Sequence, residues 1–580
     1  MNRSLASSRH MLLRRILPPF GVALAALLAF AAVLPGGKFV FDDHVLIEKN
    51  SNLARSNVWW ASFGRDYYAT GERQGGSGYY RPLAVIVNAI DRRVWQARRP
   101  GYHFTNLLLH AAASAALGPA LVALGTPVAA AWVTALVFAV HPVHAESVAF
   151  VSGRVDVLAA LGVFLSLGLA VSRRRFAAAG VGLAALLAFL SKESAVVLPL
   201  LVLLGWMARP RDAGHGRSEA AAPSGTLLAV AVGTAAVVAL LLRRAALGAW
   251  LPASASSPRP DAAWLLPLQT LCFSFAALAA PLRKLSLEPD PSGLATWRLA
   301  AGVVSMLVLW IAAWRVDRAA RPALRRCAWA GAIALLPVLN FLPQETLLSE
   351  RFLYLTSGFW LLPAGVLVVA GWRRGGTLQP ITLGLAALGL LTLAGIATWR
   401  ARAWRDDVVL WRLATQEEPN RAAFWDRLGL ALTERADFGA AEQALLRATS
   451  LDPSYFNAQF NLGALLQSTR RPRQAIEAYR KAQALDPRHV TLHLNLGLAL
   501  LGVNDFPAAA VEFQRAVALK PDSPEALRLA GGCALQMGDL AGARRYLEEA
   551  RRLLPQHPGI QQAYQVLEEK ERQRGAAPKP

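Results

Sequence analysis

The first 400 residues are a succession of apolar stretches, each long enough or nearly long enough to cross a bilayer, parted by short polar loops. A hydrocarbon core about 30 Å thick takes about 20 helical residues, and a helix satisfies all of its own backbone groups there. The stretches fall at 16–35, 104–124, 127–140, 155–171, 176–190, 194–208, 225–242, 297–314, 328–343, 352–371 and 378–398. They predict an all-α, polytopic helix bundle of about eleven spans. Apolar residues make up 54% of the 580, and the mean hydropathy of +0.33 is too high for an ordinary soluble enzyme. The first stretch follows Arg3, Arg9, Arg14 and Arg15, as a cleaved leader would. It lacks a clean small-residue cleavage site and further spans follow, so it reads as a retained helix.

A formal charge of +23, from 61 Lys+Arg against 38 Asp+Glu, would suit a polyanion binder. Its distribution does not. Residues 401–580 carry 24 basic and 21 acidic side chains, so nearly all the excess sits in the apolar half. There it gathers at the N-terminus, at Arg173–Arg175, at Arg209, Arg211 and Arg217, from Arg315 to Arg326, and at Arg373 and Arg374. Basic loops of this kind mark the cytoplasmic side of a membrane protein, and nucleic acid is not an expected partner. They share one side only if the apolar segment 264–281 does not cross, which makes that segment re-entrant or interfacial. The N-terminus is then cytoplasmic, everything after 378–398 is outside, and the chain sits in an inner membrane with a periplasmic C-terminal part. Cys272, Cys327 and Cys533 are too far apart to suggest a disulfide framework or a metal site.

The second half is periodic. Pro419, Pro453, Pro487, Pro521 and Pro555 are each 34 residues apart, as are Gly429, Gly463, Gly497 and Gly531. Ala441, Ala475, Ala509 and Ala543 keep the period too, and so do Ala448, Ala482, Ala516 and Ala550. A 34-residue unit with a Leu-Gly pair, small alanines and a closing proline is the tetratricopeptide pattern, two antiparallel helices per repeat. The expected organisation is a membrane domain over 1–400, a linker and half repeat over 401–421, and four repeats over 422–557. A capping helix (558–572) and a frayed tail follow, closing the segment 558–580. Asn461 and Asn495 sit one period apart on the first helix of their repeats, where amides can hold an extended peptide backbone. A protein acceptor or partner is therefore the expected occupant of the repeats.

In this topology the outward loops carry clustered polar motifs. They include Asp42 and Asp43 after the first span, Arg81 in Tyr80-Arg81-Pro82-Leu83, and His141, His144 and Glu146 in His141-Pro142-Val143-His144-Ala145-Glu146. Gly153-Arg154-Val155-Asp156, Ser191-Lys192-Glu193, and Glu350-Arg351 with Tyr354 follow. Ionisable groups at membrane depth are costly to keep and are functional candidates. The chain has no Walker loop, nucleophile elbow or dinucleotide fingerprint. Carboxylates beside several cations suit a transfer in which an acid takes a proton from a nucleophile and cations hold a departing phosphate. A lipid-phosphate donor fits such a place. His141, His144 and Glu146 could alternatively bind zinc, but the proline interrupts helical spacing. His103 and His110 could serve the site or only satisfy buried hydrogen bonds.

The run Phe39 to Asp43, the Tyr80 to Leu83 box, His103-x-x-Asn106-x-x-x-His110 and Ala139 to Glu146 resemble the transmembrane-and-tetratricopeptide O-mannosyltransferase family. So do Gly153-Arg154, Lys192-Glu193 and Glu350-Arg351-x-Leu353-Tyr354, with the repeats following in the same order. The resemblance implies a GT-C-type fold and transfer of a sugar, typically mannose, from a polyprenyl-phosphate donor to Ser or Thr of a protein outside the cytoplasm. It implies an inverting mechanism with the base at Asp42 or Asp43, no cofactor and no metal. Arg154, Lys192 and Arg351 would neutralise the leaving phosphate, with Arg81 and Glu350 in the same set. His141, His144 and Glu146 would shape the sugar pocket. The competing reading is a non-catalytic membrane scaffold for envelope polysaccharide assembly, which has no use for an acid and cation cluster. A glycan or lipid acceptor is a further alternative within the enzymes.

Overall fold

The computed structural model describes residues 17–35, 38–69, 77–96, 98–209, 223–250, 265–279, 296–340 and 348–576. Among these every regular element is a helix, in agreement with the all-α reading. The basic N-terminal residues, Arg211, Arg217 and the last four residues lie outside the described part. The chain forms two compact units, Met1–Leu410 and Trp411–Pro580.

The first unit makes the chain a multi-pass membrane protein. Six of its helices are long and apolar enough to cross: Arg99–Ala123, Val151–Ala170, Gly225–Leu247, Leu299–Val316, Glu350–Arg373 and Leu378–Ala403. A seventh is a pair, Val128–Val140 and Pro142–Ala149, bent by 51°. The bend falls at Pro142, which has no N–H to continue the ladder. Leu17–Val33, Ala177–Phe189, Glu193–Met207 and Leu266–Ala279 are apolar but shorter. The expected span 328–343 falls on Arg321–Leu335, whose first turns carry Arg321, Arg325 and Arg326, and on the turn Leu336–Val338. The segment read as re-entrant contains the 14-residue helix Leu266–Ala279, packed against Thr296–Val316.

Small residues set the helix spacing, as expected where lipid supplies no hydrophobic drive between helices. A Cβ on Gly365 would come 2.2 Å from Thr134 Oγ1 and 2.5 Å from the Ala130 carbonyl, and one on Gly302 would sit 2.2 Å from Ala276 Cα. By contrast Leu383, Leu385, Leu388 and Leu391 on Leu378–Ala403 are exposed, as a lipid-facing surface requires.

The second unit holds four helix pairs. They are Ala422–Glu434 with Phe438–Leu451, Phe456–Ser468 with Pro472–Leu485, Val490–Leu501 with Phe506–Leu519, and Pro524–Met537 with Leu540–Leu553. The periodic alanines 441, 475, 509 and 543 are completely buried, as are 448, 482, 516 and 550. Each periodic glycine is pressed by a side chain of its paired helix. A Cβ on Gly429, Gly463, Gly497 or Gly531 would meet Leu445, Tyr479, Phe513 or Leu547 at 2.5–2.7 Å. The half repeat contains the helix Asp407–Glu417. The last helix runs Pro558–Ala576, beyond the boundary at 572 expected for its end.

Candidate active site

Residues 38–40 have no regular structure, and the chain turns at Phe41, whose φ of 53° is in the left-handed region that side-chain-bearing residues seldom occupy. The turn separates the two candidate acids. Asp43 is fully buried. Its Oδ1 accepts from the Ser152 N–H at 2.8 Å and the Ser152 hydroxyl at 2.5 Å, and its Oδ2 from the Val40 N–H at 3.4 Å. Burial pushes its carboxyl up to about 7, with the Ser152 bonds opposing. Asp42 is only half-buried, and its Oδ2 accepts a 2.8 Å hydrogen bond from the Tyr68 hydroxyl. Asp43 thus ties the loop to the Val151–Gly153 turn, while Asp42 keeps an accessible carboxylate.

Three cations from three distant loops each stand beside an acid. Arg81, one residue before the helix Pro82–Trp95, donates through Nε and Nη2 to Glu193 Oε2 at 3.1 and 3.0 Å. Its guanidinium also lies over the Tyr79 ring at 4.5 Å and the Tyr67 ring at 5.4 Å. Lys192 pairs with Asp156 Oδ1 and stands over the Phe352 ring. Burial pulls its ammonium below the usual lysine range, Asp156 opposes, and Arg351 and Arg81 act with the burial. Arg351 Nε is 3.6 Å from Glu146 Oε1, and Glu146 Oε2 accepts from the Ser349 hydroxyl at 2.8 Å and the Arg351 N–H at 3.3 Å. The charges of Glu146, Asp156, Arg81 and Asp42 all act on Arg351, so these loops meet in one region.

Buried polar atoms here without a hydrogen-bond partner among the described residues include Asp156 Oδ2, Arg351 Nε and Tyr67 Oη. Buried polar groups are seldom left so, and such atoms mark where a polar ligand group or water binds. A small cleft beside Asp156 has Asp156, Lys192 and Ser194 on its polar side, continued by Val338, Phe352 and Leu355.

Other expected site residues are placed differently. Arg154 is completely buried: its Nη1 donates to Asp91 Oδ2 at 2.7 Å and Asn88 Oδ1 at 2.9 Å, Nε to Asn106 Oδ1 at 2.9 Å, and Nη2 to the Tyr102 carbonyl at 3.2 Å. It knits helices together and cannot reach a phosphate. His141 is buried among protein partners, and His144 is buried with its Nδ1 unpartnered among the described residues. His141 Nε2 donates to the Leu278 carbonyl at 3.2 Å and its Nδ1 accepts from the Val143 N–H, so neither nitrogen is left for zinc or sugar. His144 Nε2 lies 2.9 Å from Ser357 Oγ. Glu350 is buried and paired with Arg400 at 2.6 Å. His103 faces the Ala149 and Lys38 carbonyls, and His110 the Tyr354 hydroxyl and the Ala139 carbonyl, so both satisfy buried hydrogen bonds. In the repeats, Asn461 Nδ2 donates to Asp426 Oδ1 at 2.8 Å and Asn495 is bonded to Tyr479. Part of each amide therefore holds its repeat to a neighbouring helix.

Asp156 and Glu193 were visible in the sequence beside Arg154 and Lys192 but carried no role there, and Tyr67, Tyr68 and Tyr79 were not singled out. The paired tyrosines 67–68 and 79–80, bracketing a short stretch just before Arg81, carried a usable signal. Which cation each acid joins had none, because only the fold brings them together.

A family model for the tetratricopeptide repeat matches residues 427–490, 460–510 and 494–558. Over 491 residues the chain is 25% identical to Protein O-mannosyl-transferase TMTC3 of Homo sapiens, covering 76% of this chain and 52% of that protein. It is 34% identical over 176 residues to the human Protein O-mannosyl-transferase TMTC4, covering 27% of this chain and 24% of that one. The solved structure of MamA 41-end from Desulfovibrio magneticus RS-1 aligns at 20% identity and a TM-score of 0.25, over 26% of this chain and 85% of that chain. The chain spans about half the length of Protein O-mannosyl-transferase TMTC3. With membrane helices ahead of a tetratricopeptide array, and a match that reaches into both units, the chain is similar to the O-mannosyl-transferases that these comparisons name.

Proposed function

We propose that the chain is a membrane glycosyltransferase that moves a hexose, mannose by the names of its relatives, from a polyprenyl-phosphate donor to a Ser or Thr hydroxyl of a protein outside the cytoplasm. The observation that carries this reading is the meeting of a half-buried carboxylate, Asp42, with the cations Arg81, Lys192 and Arg351 in one region of the membrane unit. Asp42 takes the proton of the acceptor hydroxyl as its oxygen bonds to the anomeric carbon. The bond from that carbon to the phosphate oxygen breaks on the opposite face, which inverts the anomeric centre. The polyprenyl phosphate departs with the bonding electrons, and Arg351 and Lys192 neutralise it, with Arg81 oriented by Glu193 behind them. The apolar side of the Phe352–Leu355 cleft receives the first prenyl units. The N-terminus is cytoplasmic in this reading, and the repeats face the outside, where they present the acceptor.

The relatives' names and the order of the sequence boxes support this reading over a scaffold. The test is transfer of a labelled hexose from polyprenyl phosphate to peptide by the purified protein. Replacing Asp42 with Asn should lower kcat by about 10²–10⁴, the range of a positioned general base. Wild-type turnover in that variant would remove Asp42 from the mechanism, and absence of any transfer by the wild type with several donors would favour the scaffold.

A further inference from the structure

The loop that carries Asp42 is held from behind by a segment more than 360 residues later in the chain. Asp407, the first residue of the helix Asp407–Glu417, places its two carboxylate oxygens on either side of Asp42. Its Oδ1 accepts from the Phe41 N–H at 3.0 Å, and its Oδ2 lies 2.7 Å from His44 Nε2. One carboxylate thus grips the main chain just ahead of Asp42 and a side chain just after it. The adjoining residues extend the grip: the Lys38 N–H donates to the Arg405 carbonyl at 2.9 Å, and Lys38 Nζ pairs with Asp406 Oδ2 at 3.0 Å. On the far side, His44 Nδ1 meets Glu48 Oε2 at 2.7 Å, and Arg99 holds the other oxygen of Glu48 at 2.5 Å. Burial alone would raise the Glu48 carboxyl, but His44 and Arg99 outweigh it and keep it below its ordinary value.

The grip falls where the backbone needs it. Phe41 is held at positive φ, and His44–Glu48 is a single stretch of π-helix, both conformations that persist only where surroundings impose them. Asp407 does not touch the Asp42 carboxylate, whose recorded side-chain partner is Tyr68. We propose that Asp407, acting through Phe41 and His44, is a positioning residue that fixes the Asp42 carboxylate for proton transfer. This rests on the reading of Asp42 as the base. A misplacement of about 1 Å can lower turnover 10²-fold without weakening ground-state binding, so the loss belongs in kcat.

The experiment uses the full chain in micelles or nanodiscs, with the labelled polyprenyl-phosphate hexose and acceptor peptide described above. Asp407→Ala is expected to lower kcat at least tenfold with KM for the donor changed less than twofold. Asp407→Asn keeps an oxygen for the Phe41 N–H and should recover most of the loss. His44→Ala removes the other arm and should lower kcat several-fold, which keeps the test open if Asp407→Ala fails to insert. Because the grip works through Asp42, adding Asp407→Ala to Asp42→Asn should cause no further loss, whereas a general disruption of the fold would multiply the two. Wild-type kcat in both Asp407→Ala and His44→Ala, or a further loss in the double variant, overturns the positioning role. Full turnover in Asp42→Asn instead overturns the base assignment on which it rests, so the two failures are told apart.

Discussion

Asp42 and Asp43 are neighbours in sequence and yet occupy chemically opposite environments. A general base must be reachable and free to change partner, which describes a half-buried carboxylate with one tyrosine and not a carboxylate closed in by Ser152 and Val40. Asp43 has a different consequence. Its pKa of about 7 in the fold lies above its ordinary 3.8, so the folded protein holds a proton there that the unfolded chain releases. Its contribution to stability is full below about pH 3.8 and is lost as pH rises through about 7. Asp43→Asn keeps an acceptor for both Ser152 donors and cannot ionise. Its thermal midpoint relative to wild type, followed in detergent, should therefore rise between pH 5 and pH 8. Arg154 makes the other prediction at this scale. Arg154→Met leaves Asp91 as an unpaired buried charge and should destabilise the protein by about 3–5 kcal/mol, and adding Asp91→Leu should restore part of it. Thermal unfolding of the three forms measures both effects.

At the scale of the element, the repeats show a period that the amino acids alone did not display. The residue at the turn between the two helices of each repeat has positive φ: Ala436 at 60°, Arg470 at 61°, Asn504 at 62° and Gly538 at 79°. Only the last of these adopts it without steric penalty. Asp437, Asp505 and Asp539 follow as helix caps, accepting from Ala440, Ala508 and Gly542, while the second repeat has Arg471 there. Ala436 is exposed, so Ala436→Gly should relieve strain and stabilise the repeat unit by about 1 kcal/mol. Urea titration of the full chain followed by a repeat-unit probe would measure it, and an unchanged midpoint would mean that the turn carries no strain. In the membrane unit, the bend at Pro142 and the small-residue crossings at Gly365 and Gly302 play the corresponding part. The bend at Pro142 comes just before Glu146, which meets Arg351.

At the scale of the whole chain, the proposed activity divides between a unit that performs the transfer and a unit that presents the acceptor. Removing Trp411–Pro580 leaves the first unit with Asp407 in place. The truncated protein should keep transfer to a short peptide within several-fold, while transfer to a folded protein acceptor should fall by at least tenfold. Parallel assays with both acceptors decide it, since equal losses on both would assign the repeats a structural role. The expected fall reflects an acceptor held at high effective concentration by a second site.

The periodic signals belonged to the sequence by itself. A 34-residue register of prolines, glycines and alanines determines a repeat of two packed helices, because every repeat must bury the same small-residue faces. Runs of apolar residues determine membrane helices for an equally local reason, the satisfaction of backbone groups in lipid. The loops that carry ionisable residues could be read in order along the chain, and the charges of Asp42, Arg81, Glu146 and Lys192 lie close enough to Arg351 to act on one another in the fold. Tertiary structure alone decided which ionisable residues face a cleft and which are consumed as internal ties. Arg154, His141 and Glu350 carry the same chemistry as the site residues, and only partners such as Asp91, Leu278 and Arg400 set them apart. The grip of Asp407 on the Asp42 loop was equally hidden, because a hydrogen bond spanning 366 residues leaves no mark on either local sequence. Periodicity records what each residue's neighbours in the chain demand, whereas a side chain's role depends on partners that only the fold supplies.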